Sequence, residues 1–347
     1  MSFERFFKLT STHLAIDLGT ANTVVYRRGS GVVINEPSVV AMETHNGVRR
    51  VRAVGSDAKL MLGKTPAYIK TIRPLKSGVI ADLDVAEQMI KHFIYKANGG
   101  QGRFRRGPEI VLCIPSGATS VERRAIRDAA TNAGASKVWL LAEPMAAAIG
   151  AGLEVMKPKG SLVVDIGGGT TEVGVISLHG LTYSMSVRVG GDKMDDAITQ
   201  SIRRNHNLLI GEATAEKIKI QWGTARPPAD GVGTTALVRG RDVALGVPRE
   251  IEINQRELAE AVAEPVGQIV QAVRQALEHT APEIAADIID EGITMTGGGS
   301  LLPEIDRILA DETGMIVRIA DSPLTCVAMG AGRTLEEADY RGALFEA

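Results

Sequence analysis

The chain of 347 residues is 44% hydrophobic and 23% charged with a net charge of −2, long enough for two domains with buried cores and without a bulk electrostatic case for nucleic-acid binding. Its two cysteines, Cys113 and Cys326, lie in apolar sequence, which points to buried thiols in a reducing cytosol, and His and Cys do not cluster at zinc-ligand spacing. No uninterrupted apolar stretch approaches the roughly 18 residues of a membrane span, and the start lacks the pattern of a secretory signal.

Three of the six phenylalanines fall within the first nine residues, at Phe3, Phe6 and Phe7. At about 100° per residue they share one helical face, with Glu4, Arg5 and Lys8 on the other. That pattern suits an interfacial membrane anchor; the competing reading is a terminus whose Phe side chains pack onto the domain. Next, an apolar run from Leu14 to Ile16 enters Asp17-Leu18-Gly19-Thr20-Ala21-Asn22-Thr23, and a second run follows from Val24 to Tyr26. This is a β-hairpin whose turn suits a phosphate. Gly permits positive φ and close backbone N–H groups, Thr adds a hydroxyl, and the Asp ending the first strand is a hard oxygen donor for magnesium or its water shell.

Residues 32–70 alternate short apolar runs with turn residues, as a small inserted subdomain would. Helical spacing is predicted through Val79, Val85, Met89, Ile90 and Phe93. Phe104, between Arg103 and Arg105-Arg106 in a Gly-rich loop, offers a second apolar tip for a membrane. A βαβ unit is expected next: a strand from Ile110 to Ile114, a helix capped by Ser120 with Val121, Ala125, Ile126 and Ala129 on one face, and a parallel strand from Val138 to Leu141. Glu143-Pro144-Met145-Ala146-Ala147-Ala148-Ile149-Gly150 then opens a helix of small residues. Ala328-Met329-Gly330-Ala331-Gly332 has the same character, so the two are expected to cross closely, as a hinge between halves.

The phosphate-loop pattern recurs at Asp165-Ile166-Gly167-Gly168-Gly169-Thr170-Thr171, between apolar runs Leu162–Val164 and Val173–Ile176. One Gly-Thr turn is a weak signal. Two suggest related halves presenting loops to one nucleotide. Helical spacing follows through Met194, Ile198 and Ile202 and again from Ala213 to Ile220. Residues 223–250 read as turns and short strands, and helix is predicted from Pro265 to Leu277. A short strand, Ile293 to Thr296, enters a third glycine loop, Gly297-Gly298-Gly299-Ser300, leading into a helix from Pro303 whose N-terminal N–H groups suit part of a nucleotide.

Together these segments resemble the actin, Hsp70 and sugar-kinase superfamily, and within it the MreB family of bacterial actins over nearly the whole chain. The two Asp-Gly-Thr loops, Glu143 to Gly150 and Thr296 to Leu302 carry the superfamily likeness. Pro74 to Asp82, and Glu212 to Glu216 with Ile218-Lys219, are the MreB-like segments. One departure from actin is visible: actin's first loop holds a phosphate-binding lysine, where this chain has Ala21-Asn22-Thr23.

The resemblance implies an α/β actin-like ATPase fold of two related halves, each a β-sheet flanked by helices with small inserted subdomains, and a nucleotide cleft between. The implied boundaries are 1–35, 71–154 and 325–347 for subdomain IA, 36–70 for IB, 155–191 and 251–324 for IIA, and 192–250 for IIB. Gly19, Thr20, Ala21 and Asn22 would hold the β-phosphate side, and Gly167, Gly168, Gly169 and Thr170 the γ-phosphate side. Asp17 and Asp165 would orient Mg2+ through its waters, and Glu143 would position the attacking water with Thr170. Glu216, Lys217, Ile218 and Lys219, with Gly297, Gly298, Gly299, Ser300 and Leu301, would line the ribose and adenine end. From the residues alone, Glu143 also reads as a first-turn acid favoured by the helix dipole, and Glu216 with Lys219 as a solvated helix pair.

The implied function is an ATPase, with ATP or ADP and Mg2+ as cofactors, that forms filaments with itself. It would lie in the cytoplasm, peripheral on the inner face of the plasma membrane, and organise cell-wall synthesis for rod shape with the elongation machinery, including RodZ-type membrane proteins. Nucleic acid is not an expected partner. The alternatives are a small-molecule kinase, which needs an acceptor pocket and a base for a hydroxyl, and an Hsp70-like ATPase, which needs a peptide-binding domain.

Overall fold

The computed structural model describes residues 13–100 and 107–346. These divide into two compact units, one of residues 13–61, 65–150 and 327–346, the other of residues 62–64 and 151–326.

The first unit opens with strands β1 (His13–Leu18), β2 (Asn22–Arg27) and β3 (Gly31–Pro37), an antiparallel meander, as the first hairpin predicts. Strands β4 (Val40–His45), β5 (Val48–Val54) and β6 (Ile69–Ile72) form a small sheet in the order β5-β4-β6, with helix α1 (Ser56–Leu60) between β5 and β6. Val79 belongs to a miniature hairpin of β7 (Leu75–Lys76) and β8 (Val79–Ile80), not to the predicted helix. The cause is local: Ser77 and Gly78 both take positive φ, 47° and 76°, the two-residue turn that matches strand twist. Helix α2 (Leu83–Ala97) starts afterwards, where the Asp82 carboxylate accepts the Val85 N–H at 3.1 Å. Val85, Met89, Ile90 and Phe93 are buried as predicted.

Strand β9 (Glu109–Ile114), helix α3 (Ser120–Asn132) and strand β10 (Lys137–Ala142) make the expected parallel βαβ unit. Two details differ. The cap is Thr119, locked in a reciprocal box with Glu122, because a Glu three residues on can return a bond to the cap N–H. Val121 is 76% exposed, since the buried stripe runs through Ile126, Ala129 and Ala130. The five-stranded sheet has the order β3-β2-β1-β9-β10, and helix α4 (Glu143–Gly150) follows β10.

The second unit repeats this plan. Strands β11 (Ser161–Ile166), β12 (Thr171–Ser177) and β13 (Gly180–Val187) form a meander. Helix α5 (Gly191–His206), strand β14 (Leu208–Leu209), helix α6 (Glu212–Trp222) and strands β15 (Thr235–Asp242) and β16 (Pro248–Asn254) come next, with the three strands in a small sheet β14-β15-β16. Helix α7 (Gln255–Glu278) begins ten residues before the predicted start at Pro265. Pro suits a first turn, but a capping box between Asn254 and Glu257 starts the helix earlier and Pro265 lies buried inside it.

Helix α8 (Pro282–Glu291), strand β17 (Ile293–Thr296), helix α9 (Ile305–Thr313) and strand β18 (Val317–Ile319) complete the unit. Neither α8 nor the three-residue β18 stood out in the sequence. The five-stranded order is β13-β12-β11-β17-β18, with β17 parallel to β11 and β18 parallel to β17. This matches the first sheet strand for strand, so the duplication suggested by two glycine loops extends to whole sheets.

Helix α10 (Cys326–Glu336) returns to the first unit. It crosses α4 with Gly330 packed on the Ala146 carbonyl, and a Cβ at Gly330 would fall 2.7 Å from the Gly150 nitrogen. The Arg333 guanidinium donates to the Ile149 carbonyl at 2.9 Å, closing the α4 C-terminus. The predicted crossing of the two small-residue helices is present. Among the described residues no helix is long and apolar enough to cross a membrane.

Candidate phosphate-binding loops

In the first unit the β1–β2 turn is fixed by a residue the sequence reading passed over. Ser38 is fully buried; its hydroxyl donates to the Gly19 carbonyl at 2.6 Å and lies 2.9 Å from the Thr23 hydroxyl, and its N–H donates to the Ala21 carbonyl at 2.9 Å. Because N–H and C=O point in opposite directions across a trans peptide, drawing these two carbonyls toward Ser38 turns the N–H groups of Thr20 and Asn22 the other way. That is the orientation an anion requires. A side chain at Gly19 would put a Cβ 2.6 Å from the Asn22 carbonyl, so only Gly fits. The Thr20 hydroxyl accepts the Gly78 N–H at 3.1 Å, which ties the loop to the β7–β8 hairpin, and the Asn22 amide donates to Asn35 at 3.1 Å.

Asp17, at the end of β1, keeps partial solvent access but sits deep enough that lost hydration pushes its carboxyl up to about 7. Glu143 is the first residue of α4, half-buried.

In the second unit the loop Gly167 to Thr170 is held from behind by α5. The N–H groups of Gly191 and Asp192 donate to the carbonyls of Gly167 and Gly168 at 3.0 and 2.8 Å, satisfying first-turn donors of the helix. By the same peptide geometry the N–H groups of Gly168 and Gly169 face away from α5. A Cβ at Gly190 would fall 2.5 Å from the Gly167 carbonyl, so this approach depends on glycine. The Thr171 hydroxyl donates to the Val189 carbonyl at 2.7 Å.

The third glycine loop meets the second. Gly297, at φ 78°, packs on Asp165, with a Cβ position 2.5 Å from Oδ1, and Gly299 packs on Ile166. Asp165, Thr170 and Ser300 are all buried, and the Ser300 hydroxyl donates to the Gly297 carbonyl at 2.7 Å. Gly298–Leu301 is itself a single 3-10 turn, and α9 begins at Ile305 instead of Pro303, because Glu304 takes a left-handed φ of 70° that breaks the helix at that point. Leu301 is half exposed.

On α6, Ile218 is in the core and Lys217 is exposed. Lys219 donates to the Gly191 carbonyl at 2.8 Å and pairs with Asp195 of α5 at 2.9 Å. It is therefore not the solvated partner of Glu216; it braces the α5 N-terminus, which in turn holds the second loop. Burial pushes the Asp195 carboxyl up to about 6, against the opposing pull of Lys219.

A further residue was missed in the sequence. Glu172 is 1% exposed, stands directly across the β11–β12 ladder from Asp165, and accepts a hydrogen bond from Ser186. The available signal was a carboxylate set inside an apolar strand run. Phe3, Phe6, Phe7 and Phe104 lie outside the described residues.

Among the described residues no three His, Cys, Asp or Glu side chains gather to hold a metal. Asp17 in the first unit and Asp165 in the second each offer, within their own loop, a carboxylate oxygen of the kind a hard cation such as magnesium takes. Asp17 in particular carries a carboxyl stripped of much of its hydration, whose ionised form a cation would favour.

Two sheets of one strand plan, each opening its first hairpin onto a Gly-Thr loop, define an actin-like fold. The MreB5 structure of Spiroplasma citri bound to ADP superposes with a TM-score of 0.88 at 35% identity, covering 96% of this chain and 98% of that one. The family model "MreB/Mbl protein" matches residues 11–342. The chain belongs to the MreB/Mbl family. It is 54% identical over 341 residues to the cell shape-determining protein MreB of Escherichia coli K12, covering 98% of this chain and 97% of that protein. It is 49% identical to the cell shape-determining protein Mbl of Bacillus subtilis, covering 94% and 96%.

Proposed function

We propose that this chain is an ATP-dependent, filament-forming bacterial actin that acts in determining cell shape. The observation that carries the reading is the pair of phosphate loops, one in each unit, whose carbonyls are drawn back by Ser38 and by the α5 N-terminus. An ADP-bound relative of the same fold supports nucleotide binding here. Thr20, Ala21 and Asn22 hold the β-phosphate side, and Gly167 to Thr170 the γ-phosphate side. Asp17 and Asp165 would hold Mg2+, which when bound would neutralise phosphate charge. Glu143, with Thr170, positions the attacking water, and the 216–219 and 297–301 segments serve the ribose and adenine end.

Hydrolysis then acts as a timer on assembly. Stacking of copies through unlike surfaces does not close on itself and gives filaments. Phe3, Phe6 and Phe7, aided by Phe104, anchor those filaments on the inner membrane face, where RodZ-type proteins and the wall-elongation machinery are the partners. The test is sedimentation with ATP together with phosphate release. Nucleotide-dependent pelleting and slow phosphate release are expected. Monomers under every nucleotide condition, with lipid present, would remove the cytoskeletal reading, and phosphorylation of a member of a sugar panel would put a kinase in its place.

A further inference from the structure

Three elements of the first unit meet on one carboxylate. Glu36 stands near the end of β3, where the chain leaves the five-stranded sheet for the small sheet β5-β4-β6. Its side chain is only 14% exposed; one oxygen pairs with Lys96 in the last turn of α2, and the other accepts the Ser56 N–H of α1 at 3.4 Å. Gly55 packs so closely on that second oxygen that a Cβ has no room, and its N–H donates to the Val39 carbonyl at 2.9 Å. His92, one turn before Lys96, lies within electrostatic reach of Glu36 and Asp57, but burial holds its imidazole below the usual range. Near neutral pH the positive charge beside Glu36 is therefore that of Lys96.

The second unit is an internal control. Thr23 and Thr171 close the two phosphate loops at the same spacing from Asp17 and Asp165, and across the ladder they pair with Glu36 and Val187. Two residues further on, the Thr23 hydroxyl lies 2.9 Å from that of Ser38, and the Thr171 hydroxyl donates to the Val189 carbonyl at 2.7 Å. One strand position thus carries a carboxylate in the first unit and an apolar residue in the second, so the shared fold does not itself require charge there. What differs is how the loop carbonyls are held. In the second unit the α5 N-terminus holds them. In the first the task falls on Ser38, on the crossing to the small sheet, while Thr20 is tied to Gly78 where the chain has come back from it. The angle of the small sheet therefore bears directly on the first loop.

We propose that Glu36 is a positioning residue for the nucleotide: paired with Lys96, it latches the small sheet against α2 and keeps Ser38 where it draws the Gly19 and Ala21 carbonyls away from the β-phosphate. The inference rests on the nucleotide reading above. An ion pair with one partner half exposed adds little to overall stability, so the latch acts on orientation. With it open, the small sheet is free to tilt about Pro37-Ser38-Val39, and the loop N–H groups lose the common aim that binds an anion.

The experiment measures binding of ADP and of AMP, which lacks the β-phosphate, to the wild type, Glu36→Gln, Lys96→Met, the double variant and Lys96→Arg, together with hydrogen exchange of the nucleotide-free proteins. Glu36→Gln and Lys96→Met should each weaken ADP at least about fivefold, the lower end of usual coupling between sites, and leave AMP unchanged. Both should speed exchange at Ser38 and Gly78, whose N–H groups bond to the loop, while β9 and β10 exchange as in the wild type. The double variant should be no worse than either single one, because the same interaction is lost in all three, and Lys96→Arg should bind ADP like the wild type. If Glu36→Gln fails to fold, Lys96→Met decides alone, since it alters a half-exposed side chain. Unchanged ADP affinity in the folded variants, equal losses for ADP and AMP, or additive losses in the double variant overturn the inference and leave nucleotide binding by the wild type intact. A wild type that binds no ADP overturns both.

Discussion

At the scale of single residues, burial raises the Asp17 carboxyl from 3.8 to about 7, so the folded chain holds a proton there that the unfolded chain releases near pH 4. Stability from this group is fully present below pH 4 and is lost as pH rises through 7. The loss is at most a few kcal/mol, at about 1.36 kcal/mol for each tenfold change in proton affinity. Melts of nucleotide-free protein between pH 4 and 7.5 should show the wild type losing ground steadily to Asp17→Asn; parallel curves for the two would refute the burial cost. Glu143 makes a different prediction. Glu143→Ala should bind nucleotide yet release phosphate roughly 10²–10⁴-fold more slowly, the loss typical of a positioned base, and single-turnover assays would show it. Wild-type turnover would return Glu143 to the role of a first-turn acid.

At the scale of elements, glycine decides where helices can touch. Gly330 of α10 packs on the α4 backbone, whereas Gly267 in α7 has nothing within 4 Å of where a Cβ would go. The same substitution should therefore have opposite signs at the two positions. Gly330→Ala forces the crossing apart and should destabilise by about 1–3 kcal/mol or more; Gly267→Ala should stabilise by about 0.4–1 kcal/mol through helix propensity and a less flexible unfolded chain. Urea denaturation of the two variants checks both signs at once. A neutral Gly330→Ala would mean that the crossing yields without cost. The α7 start has a similar local origin: Asn254 and Glu257 cap it reciprocally, and a buried Pro265 does not override them.

At the scale of the whole molecule, removing residues 1–9 stops short of β1, which runs His13–Leu18 into Asp17's loop. Three buried Phe side chains are worth roughly 1.5–3 kcal/mol each before the cost of ordering the segment, too little to hold a monomer on a bilayer. A filament presenting many such segments gains from linkage. The truncated protein should hydrolyse ATP at close to the wild-type rate and fail to float with anionic liposomes as filaments. Continued flotation would move the anchor to the Phe104 loop.

The sequence by itself determined the features governed by neighbours along the chain. Gly-Thr turns between apolar runs marked both phosphate loops, and apolar spacing marked α2, α5 and the βαβ unit of β9, α3 and β10, because turn chemistry and periodicity act over a few residues. Only the tertiary structure decided what depends on residues distant in the chain. Ser38 closing the first loop, Gly78 resting on Thr20, Glu172 facing Asp165, Gly297 packed on Asp165 and Lys219 bracing α5 are all pairings across strands or between elements. No local pattern announces them, since each residue alone reads as an ordinary turn, strand or surface position. Their partners are supplied by strand register and by how closely two backbones approach.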